Sequence, residues 1–421
     1  MAKVLLTAFG TRGDVAPMIG LGDRLQQAGH QVVLTAPSEF SELITACGLR
    51  WLPFDVHIDA DYDPDGQNRV QLAMNLITPA GLLATGRMLL TTLHDEEADV
   101  LLLSPFAEFA GHALAEARGI PSMGVRLQPV SITADHPPAT LTSASMGALG
   151  NRAAGYLSAA AVDRVYSSTF AGLRDQLGLP RVSAATLRRR RTAAEWPILH
   201  GYSRHVAPRP VDWRPGLDVV GYWWPPRPTG WQPPPELLTF LEAGPPPVYI
   251  GFGSLNMPKA EAARLSELVT RALRIAGVRG IVQAGWAGLN VDSDDVLTIG
   301  DTPHDWLFDR VAAVVQAGGA GTAAASLRAG LPSVVIPASG GDQPFWAKRL
   351  RVLGVSAATL SRRRLTAERL AAAIDSALTD PTHRANAERL SAQIATEDGA
   401  GQVVTAVERL TSRQPNPRSY R

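Results

Sequence analysis

Cysteine is nearly missing from this sequence: its 421 residues hold one, Cys47. A disulfide framework and a cysteine zinc cluster are thereby excluded. Net charge is nearly missing as well, with 40 basic residues against 39 acidic ones and a formal charge of +1. No bulk positive field is available to hold nucleic acid. No stretch of about 18 uncharged apolar residues occurs, so no membrane-crossing helix is expected. The opening MAKVLLTAFGTRGD carries an apolar run that stops at Gly10, with charges at Arg12 and Asp14. That run is too short for a signal-peptide core and reads as a buried strand, so the expected compartment is the cytoplasm. Lysine is scarce too, present only at Lys3, Lys259 and Lys348. The preference for arginine follows GC-rich codons and suggests a high-GC bacterial genome.

What is present is enough apolar residue, 45% of the chain, to bury more than one core. The length suggests two or three domains. The first 50 residues read as strand, helix, strand. Val4 to Ala8 is a short apolar run suited to a parallel strand buried on both faces. Val15 to Ala28 has helical spacing, closed by Gly29, and Val32 to Thr35 is the next strand. This is the βαβ unit of a doubly wound sheet. The pattern recurs at Asp99 to Leu103, Ala107 to Arg118 and Ile120 to Val125. Between the units lie a polar, turn-rich piece (DADYDPDGQNR) and an amphipathic stretch, Leu82 to Leu93. The stretch reads either as a core helix or as a wall of an apolar pocket.

Between Pro208 and Pro247 stand twelve of the chain's 32 prolines. Such density is not expected inside helices or central strands. It marks 208–247 as a semi-rigid linker between a first domain, 1–207, and a second, 248–400, with 401–421 as a helix end and frayed tail. Trp223, Trp224 and Trp231 lie in the linker and are expected to pack the domains together. The second domain repeats the α/β pattern: strands at Val248 to Phe252, Gly280 to Gln283, Val296 to Ile299, Ala312 to Val315 and Ser333 to Ile336, with a helix from Ala260 to Ala276. The fold class is therefore α/β, with two Rossmann-like doubly wound domains facing across a cleft. Carboxyl ends of parallel strands border that cleft, where such sheets bind ligands.

Four elements at those strand ends carry chemistry. Gly318, Gly319, Ala320, Gly321 and Thr322 run between a strand and a helix start, with no bulky side chain over the helix N-terminus. Free N–H groups there suit a phosphate or diphosphate, though a tight β-α turn also needs glycine. Gly340-Gly341-Asp342-Gln343-Pro344 offers adjacent acceptors and donors for sugar hydroxyls, or a helix cap. Gly251-Phe252-Gly253-Ser254 presents a hydroxyl to the cleft. Gly10-Thr11-Arg12-Gly13-Asp14-Val15 puts Asp14 at a helix start, either as a cap or as a general base at the cleft floor. Arg12 either meets a phosphate across the cleft or hydrogen-bonds its own loop. No dinucleotide fingerprint follows any strand, which argues against a nicotinamide oxidoreductase.

These elements, in this order, resemble the inverting family-1 glycosyltransferases of GT-B fold. The likeness is to bacterial natural-product and sterol or lipid glycosyltransferases that begin G-[TS]-R-G-D-V-x-P. It covers nearly the whole chain: Gly10 to Pro17, Gly201-Tyr202-Ser203 to Trp213, Gly251 to Ser254, Pro303 to Phe308, Gly318 to Thr322, and Gly341 to Trp346. The resemblance implies a nucleotide-diphosphate sugar as co-substrate and an apolar acceptor held mainly by the first domain, in a pocket built from 57–95 and 128–190. It implies a diphosphate cradle of Ser254, Gln316 and the Gly318 to Thr322 loop with Arg12, sugar contacts from Asp342 and Gln343, and Asp14 as the base. Trp286 would either stack on the nucleotide base or pack a core. No cofactor and no metal are expected. DxD patterns occur at Asp59/Asp61, Asp61/Asp63 and Asp292/Asp294, all in turn-rich loops. Arg188 to Arg191 reads as a solvated face or a contact with anionic lipid. His304 reads as a structural or capping residue.

One departure stands out. Family members usually read V-x-H-H-G-G-A-G-T at the phosphate loop, and this chain has Gln316 and Ala317 in place of both histidines. Gln316 can donate from its amide but carries no charge. Two expectations follow, an active transferase with a retuned donor site or a homologue that keeps the cleft as a binding or auxiliary protein. Retention of Asp14, Ser254, Asp342 and Gln343 favours the first.

Overall fold

The computed structural model describes residues 1–54, 77–255, 257–291, 293–338 and 340–412. Strands β1 (Lys3–Thr7), β2 (Gln31–Ala36), β3 (Arg50–Pro53), β4 (Val100–Leu103), β5 (Ser122–Arg126), β6 (Ile198–His200) and β7 (Leu217–Val219) form one sheet, in the order β3-β2-β1-β4-β5-β6-β7. Strands β8 (Val248–Gly251), β9 (Gly280–Gln283), β10 (Val296–Ile299), β11 (Ala313–Gln316), β12 (Ser333–Val335) and β13 (Ser356–Thr359) form a second, in the order β10-β9-β8-β11-β12-β13. All pairings are parallel, for example Val4 with both Val32 and Val100.

Central parallel strands must be covered on both faces, which is why β4 reads VLLL and every residue of it is buried. The covering helices show the complementary pattern. Helix Lys259–Ala276 buries Ala262, Leu265, Val269, Ala272 and Leu273, the stripe of one face. It ends at Gly277, whose φ of 66° lies in the left-handed region that favours glycine.

The proline-rich segment is more structured than its composition suggests. Leu217–Val219 is strand β7, paired with β6 at the sheet edge. Pro235–Glu242 is a helix whose prolines stand at its first turn, where a missing N–H breaks no bond. The expectation that proline density excludes helix here is corrected on that ground. Of the tryptophans, Trp224 reaches the second domain, with the Arg328 guanidinium 4.6 Å over its ring, while Trp223 is buried in the first domain's cluster and Trp231 meets the edge of Trp306 at 5.4 Å in a cluster of the second.

The chain crosses between the domains twice. After the second sheet, helix Gly399–Ser412 returns to the first domain and buries Val403, Val404 and Val407 in the cluster that holds Ile19, Leu25 and Leu34. The outgoing and returning segments touch at two glycines. A Cβ on Gly399 would lie 2.3 Å from the Gly221 carbonyl oxygen, so neither backbone has room for a side chain there. The turn-rich piece after Phe54 and the tail expected to fray, 413–421, lie outside the described residues. Among the described residues no helix is long and apolar enough to cross a membrane.

Candidate active site

Carboxyl ends of the two sheets face each other, and the sequence elements singled out above meet there. Asp14 occupies the first turn of helix Arg12–Gln27, directly after β1. The Thr11 N–H and hydroxyl donate to its Oδ2 at 2.9 and 3.1 Å, so it does cap the helix. Gly10 makes this possible. Its φ is 129°, and a Cβ there would lie 2.4 Å from Asp14 Oδ2. Burial raises the Asp14 carboxyl above its ordinary value, and the Asp342 carboxylate across the cleft adds to the rise, against the two Thr11 hydrogen bonds and one from Gln128. A capping carboxylate that is also driven toward protonation is fitted to accept a proton.

Opposite it, β11 runs into Gly318 and then helix Ala320–Arg328. Gly319 is the N-cap and, having no side chain, caps nothing, and Cβ positions at Gly319 and Gly321 would meet open space. The N–H groups at this helix start are therefore accessible to an anion. Gln316 is placed differently from expectation. It is fully buried at the end of β11, and its amide nitrogen donates to Ser326 Oγ at 3.1 Å, within the helix behind the loop. Its Oε1 has no hydrogen-bond partner. In this arrangement the amide is committed inward, away from the diphosphate seat; Ala317 is also buried.

Asp342 caps helix Gln343–Val352, and Trp346 Nε1 donates to its Oδ2 at 2.7 Å. Burial raises this carboxyl too. Gln343 Oε1 accepts from Ala338 N at 2.8 Å, which leaves its NH₂ as the end able to reach a ligand hydroxyl. Ser254 is half-buried on the turn after β8. That turn is tied to the one after β9, because Trp286 N donates to Gly253 O at 3.2 Å. The Trp286 ring is half-buried and packs against the apolar cluster of the first domain.

Arg12 has a partner that its sequence position did not indicate. Its guanidinium crosses the cleft and pairs with the Asp301 carboxylate, just beyond β10. Both partners are partly exposed, so the pair contributes at most about 1 kcal/mol. Behind it lies a buried polar knot. Tyr249 OH donates to Gln283 Oε1 at 2.5 Å and lies 3.3 Å from His304 Nε2, while His304 stacks on Phe308 at 4.4 Å. Burial, then the Arg12 cation, hold the His304 imidazole down to about 4, so it is neutral at pH 7. Sequence reasoning missed Asp301, Tyr249 and Gln283: Asp301 meets Arg12 only where the two domains come together, and Tyr249 meets Gln283 only once β8 and β9 pair.

The first domain supplies an apolar recess beside Asp14. Phe9 meets Phe54 at 5.7 Å and Phe106 at 5.3 Å, both edge-on. With Thr35 and Thr85 these rings line a cavity of about 10 Å³, room for roughly one water. Among the described residues the buried hydroxyls of Thr35 and Thr85 have no hydrogen-bond partner. Apolar walls with orphaned hydroxyls suit an apolar molecule bearing a few polar groups. Asp59, Asp61, Asp63 and Asp292 lie outside the described residues, and among the described ones no group of three or more metal-ligating side chains gathers.

Comparisons with known proteins agree with this geometry. Residues 4–104 match the glycosyltransferase family 28 N-terminal domain, and residues 286–410 match the erythromycin biosynthesis protein CIII-like C-terminal domain. A sterol 3-beta-glucosyltransferase of Arabidopsis thaliana is 34% identical over 98% of this chain, which spans 66% of that relative's length. An O-mycaminosyltylonolide 6-deoxyallosyltransferase of Streptomyces fradiae is 33% identical over 96% of this chain and 97% of its own. Among solved structures, the glycosyltransferase of kitacinnamycin superposes with a TM-score of 0.71 at 18% identity, covering 97% of this chain and 99% of its own. With sequence relatives matched end to end and the same two-sheet architecture, the chain belongs to the family-1 glycosyltransferases of GT-B fold.

Proposed function

We propose that the chain moves a sugar from a nucleotide-diphosphate sugar, seated on the second domain, to a hydroxyl of an apolar acceptor held mainly by the first. The observation that carries this reading is the opposition of a proton-seeking carboxylate, Asp14, to the open N-terminus of helix Ala320–Arg328 across one cleft. The acceptor hydroxyl attacks the anomeric carbon, its proton passes to Asp14, and the bond to the diphosphate breaks, so the sugar inverts in one displacement. Negative charge builds on the departing diphosphate and is met by preorganised N–H groups and the helix dipole, so no metal is invoked. Asp342 and the Gln343 NH₂ orient the sugar. The acceptor in this reading is sterol-like or macrolide-like, after the substrates named for the relatives.

The burial of Gln316 and Ala317 favours a second reading, a homologue whose diphosphate site is disabled and that keeps the cleft as an auxiliary or binding protein. Calorimetry separates the two. Wild type is expected to bind UDP or dTDP with a Kd on the order of 1 μM, about −8 kcal/mol. Gln316→His is expected to change that by less than tenfold, because backbone N–H groups do the holding. No binding by wild type, with binding restored by Gln316→His, would establish the second reading instead.

A further inference from the structure

We propose that helix Gly147–Val165 is a docking surface for an anionic lipid bilayer, from which an apolar acceptor enters the cleft. The helix is amphipathic in the inverted sense. Of its 19 residues only Asn151 and Gly155 are buried. Asn151 faces inward, where its amide donates to Ala134 O at 2.9 Å and its Oδ1 accepts from Met146 N at 2.9 Å. Outward stand Leu149, 86% exposed, Leu157, 71% exposed, and Tyr156, 57% exposed. With Ala153 and Ala160 they recur at spacings of three and four and so share one stripe along about 17 Å of helix. Exposed Leu141 and Met146 extend the patch into the preceding loop. A contiguous apolar stripe turned to solvent marks an interaction surface.

Charge selects the occupant. The one acid of this helix, Asp163, is largely covered and neutralised by Arg188 Nε at 2.8 Å. That ion pair fixes helix Ala184–Ala193 alongside, with Arg189 and Arg190 exposed. Arg164 is exposed on the helix itself, while Arg152 is paired with Asp212 at 2.7 Å. An apolar strip bordered by arginines, with a tyrosine to sit at headgroup depth, fits an anionic interface and disfavours a cationic or acid-free partner. The position suits delivery: the loop 128–146 leading into this helix also touches the second domain, through His136 against Phe345 and Lys348 Nζ on Ser143 O at 2.9 Å. The docking claim stands on this surface alone; only the delivery step rests on the function proposed above.

Co-sedimentation of the full chain with vesicles tests it. Vesicles of phosphatidylglycerol and phosphatidylcholine are expected to retain wild type, and pure phosphatidylcholine to retain much less. Leu149→Glu combined with Leu157→Glu should lower the partition coefficient at least about tenfold. The substitutions lie on exposed positions, so the melting temperature should not change. Failure of wild type to bind anionic vesicles, or binding indifferent to the double substitution, would overturn the proposal. So would a wild-type dimer by sedimentation equilibrium that the double substitution dissociates, since the stripe would then seat a second copy. Vesicle binding without any transfer to dissolved acceptor would instead overturn the function and leave the surface standing.

Discussion

Asp14→Asn is expected to lower kcat by about 10²- to 10⁴-fold, the usual contribution of a positioned base. Asparagine keeps the volume and an oxygen that can accept from Thr11 N and Oγ1, the two hydrogen bonds that close the first helical turn. What it loses is the capacity to take a proton. Stability should move the other way, and the sign follows from linkage. The folded-state carboxyl is raised above 3.8, so the folded chain holds this proton more tightly than the unfolded one. The contribution is fully present below the unfolded value and is lost as pH rises through the raised folded value. At neutral pH the charged Asp14 is therefore a cost, and Asp14→Asn should melt no lower than wild type there. Activity of wild type should fall on the acid side at a pH above the ordinary carboxylate range, because the base must be ionised. Loss of melting temperature with little loss of kcat would identify Asp14 as a helix cap and nothing more.

The second large effect concerns the other wall of the cleft. Gly321→Asp is expected to raise the KM for the nucleotide sugar on the order of 10²-fold, the scale of a like-charge juxtaposition of several kcal/mol. Gly321 lies in the first turn of helix Ala320–Arg328, is exposed, and has open space where a Cβ would stand. An acid in the first turn stabilises a helix by about 0.3–1 kcal/mol through the dipole. The variant should therefore be as stable as wild type or more so, while its carboxylate occupies the seat meant for diphosphate. An unchanged KM would mean that the diphosphate binds elsewhere.

The central strands were legible because parallel sheets buried on both faces demand continuous apolar runs. β1, β4, β8 and β11 stand within a residue or two of where the runs put them. Of the edge strands, β10 was found at Val296–Ile299 and the other three were not. β3 reads RWLP with both ends exposed, β13 reads SAAT, and β7 alternates with Asp218 facing solvent. A short strand covered on one side has no run to announce it. Glycine spacing located the open helix start at Gly319 to Gly321, but not the inward turn of Gln316, which depends on Ser326 ten residues further on. Helix Gly147–Val165 escaped for a related reason: its apolar residues follow helical spacing, yet they face out, and only burial reveals the inversion.

The double crossing at Gly221 and Gly399 bears on how such chains can be recombined. In the function proposed above donor and acceptor are held by different sheets, which invites exchange of whole halves between relatives. A single junction in the proline-rich segment would carry helix Gly399–Ser412 away with the second half, and a foreign first half would receive a helix shaped for another partner's Ile19, Leu25 and Leu34. A graft that respects the fold needs two junctions, one before β8 and one before Gly399, so that the returning helix is inherited with the domain it covers. The module that travels is then an internal segment, and the ends of the chain stay together.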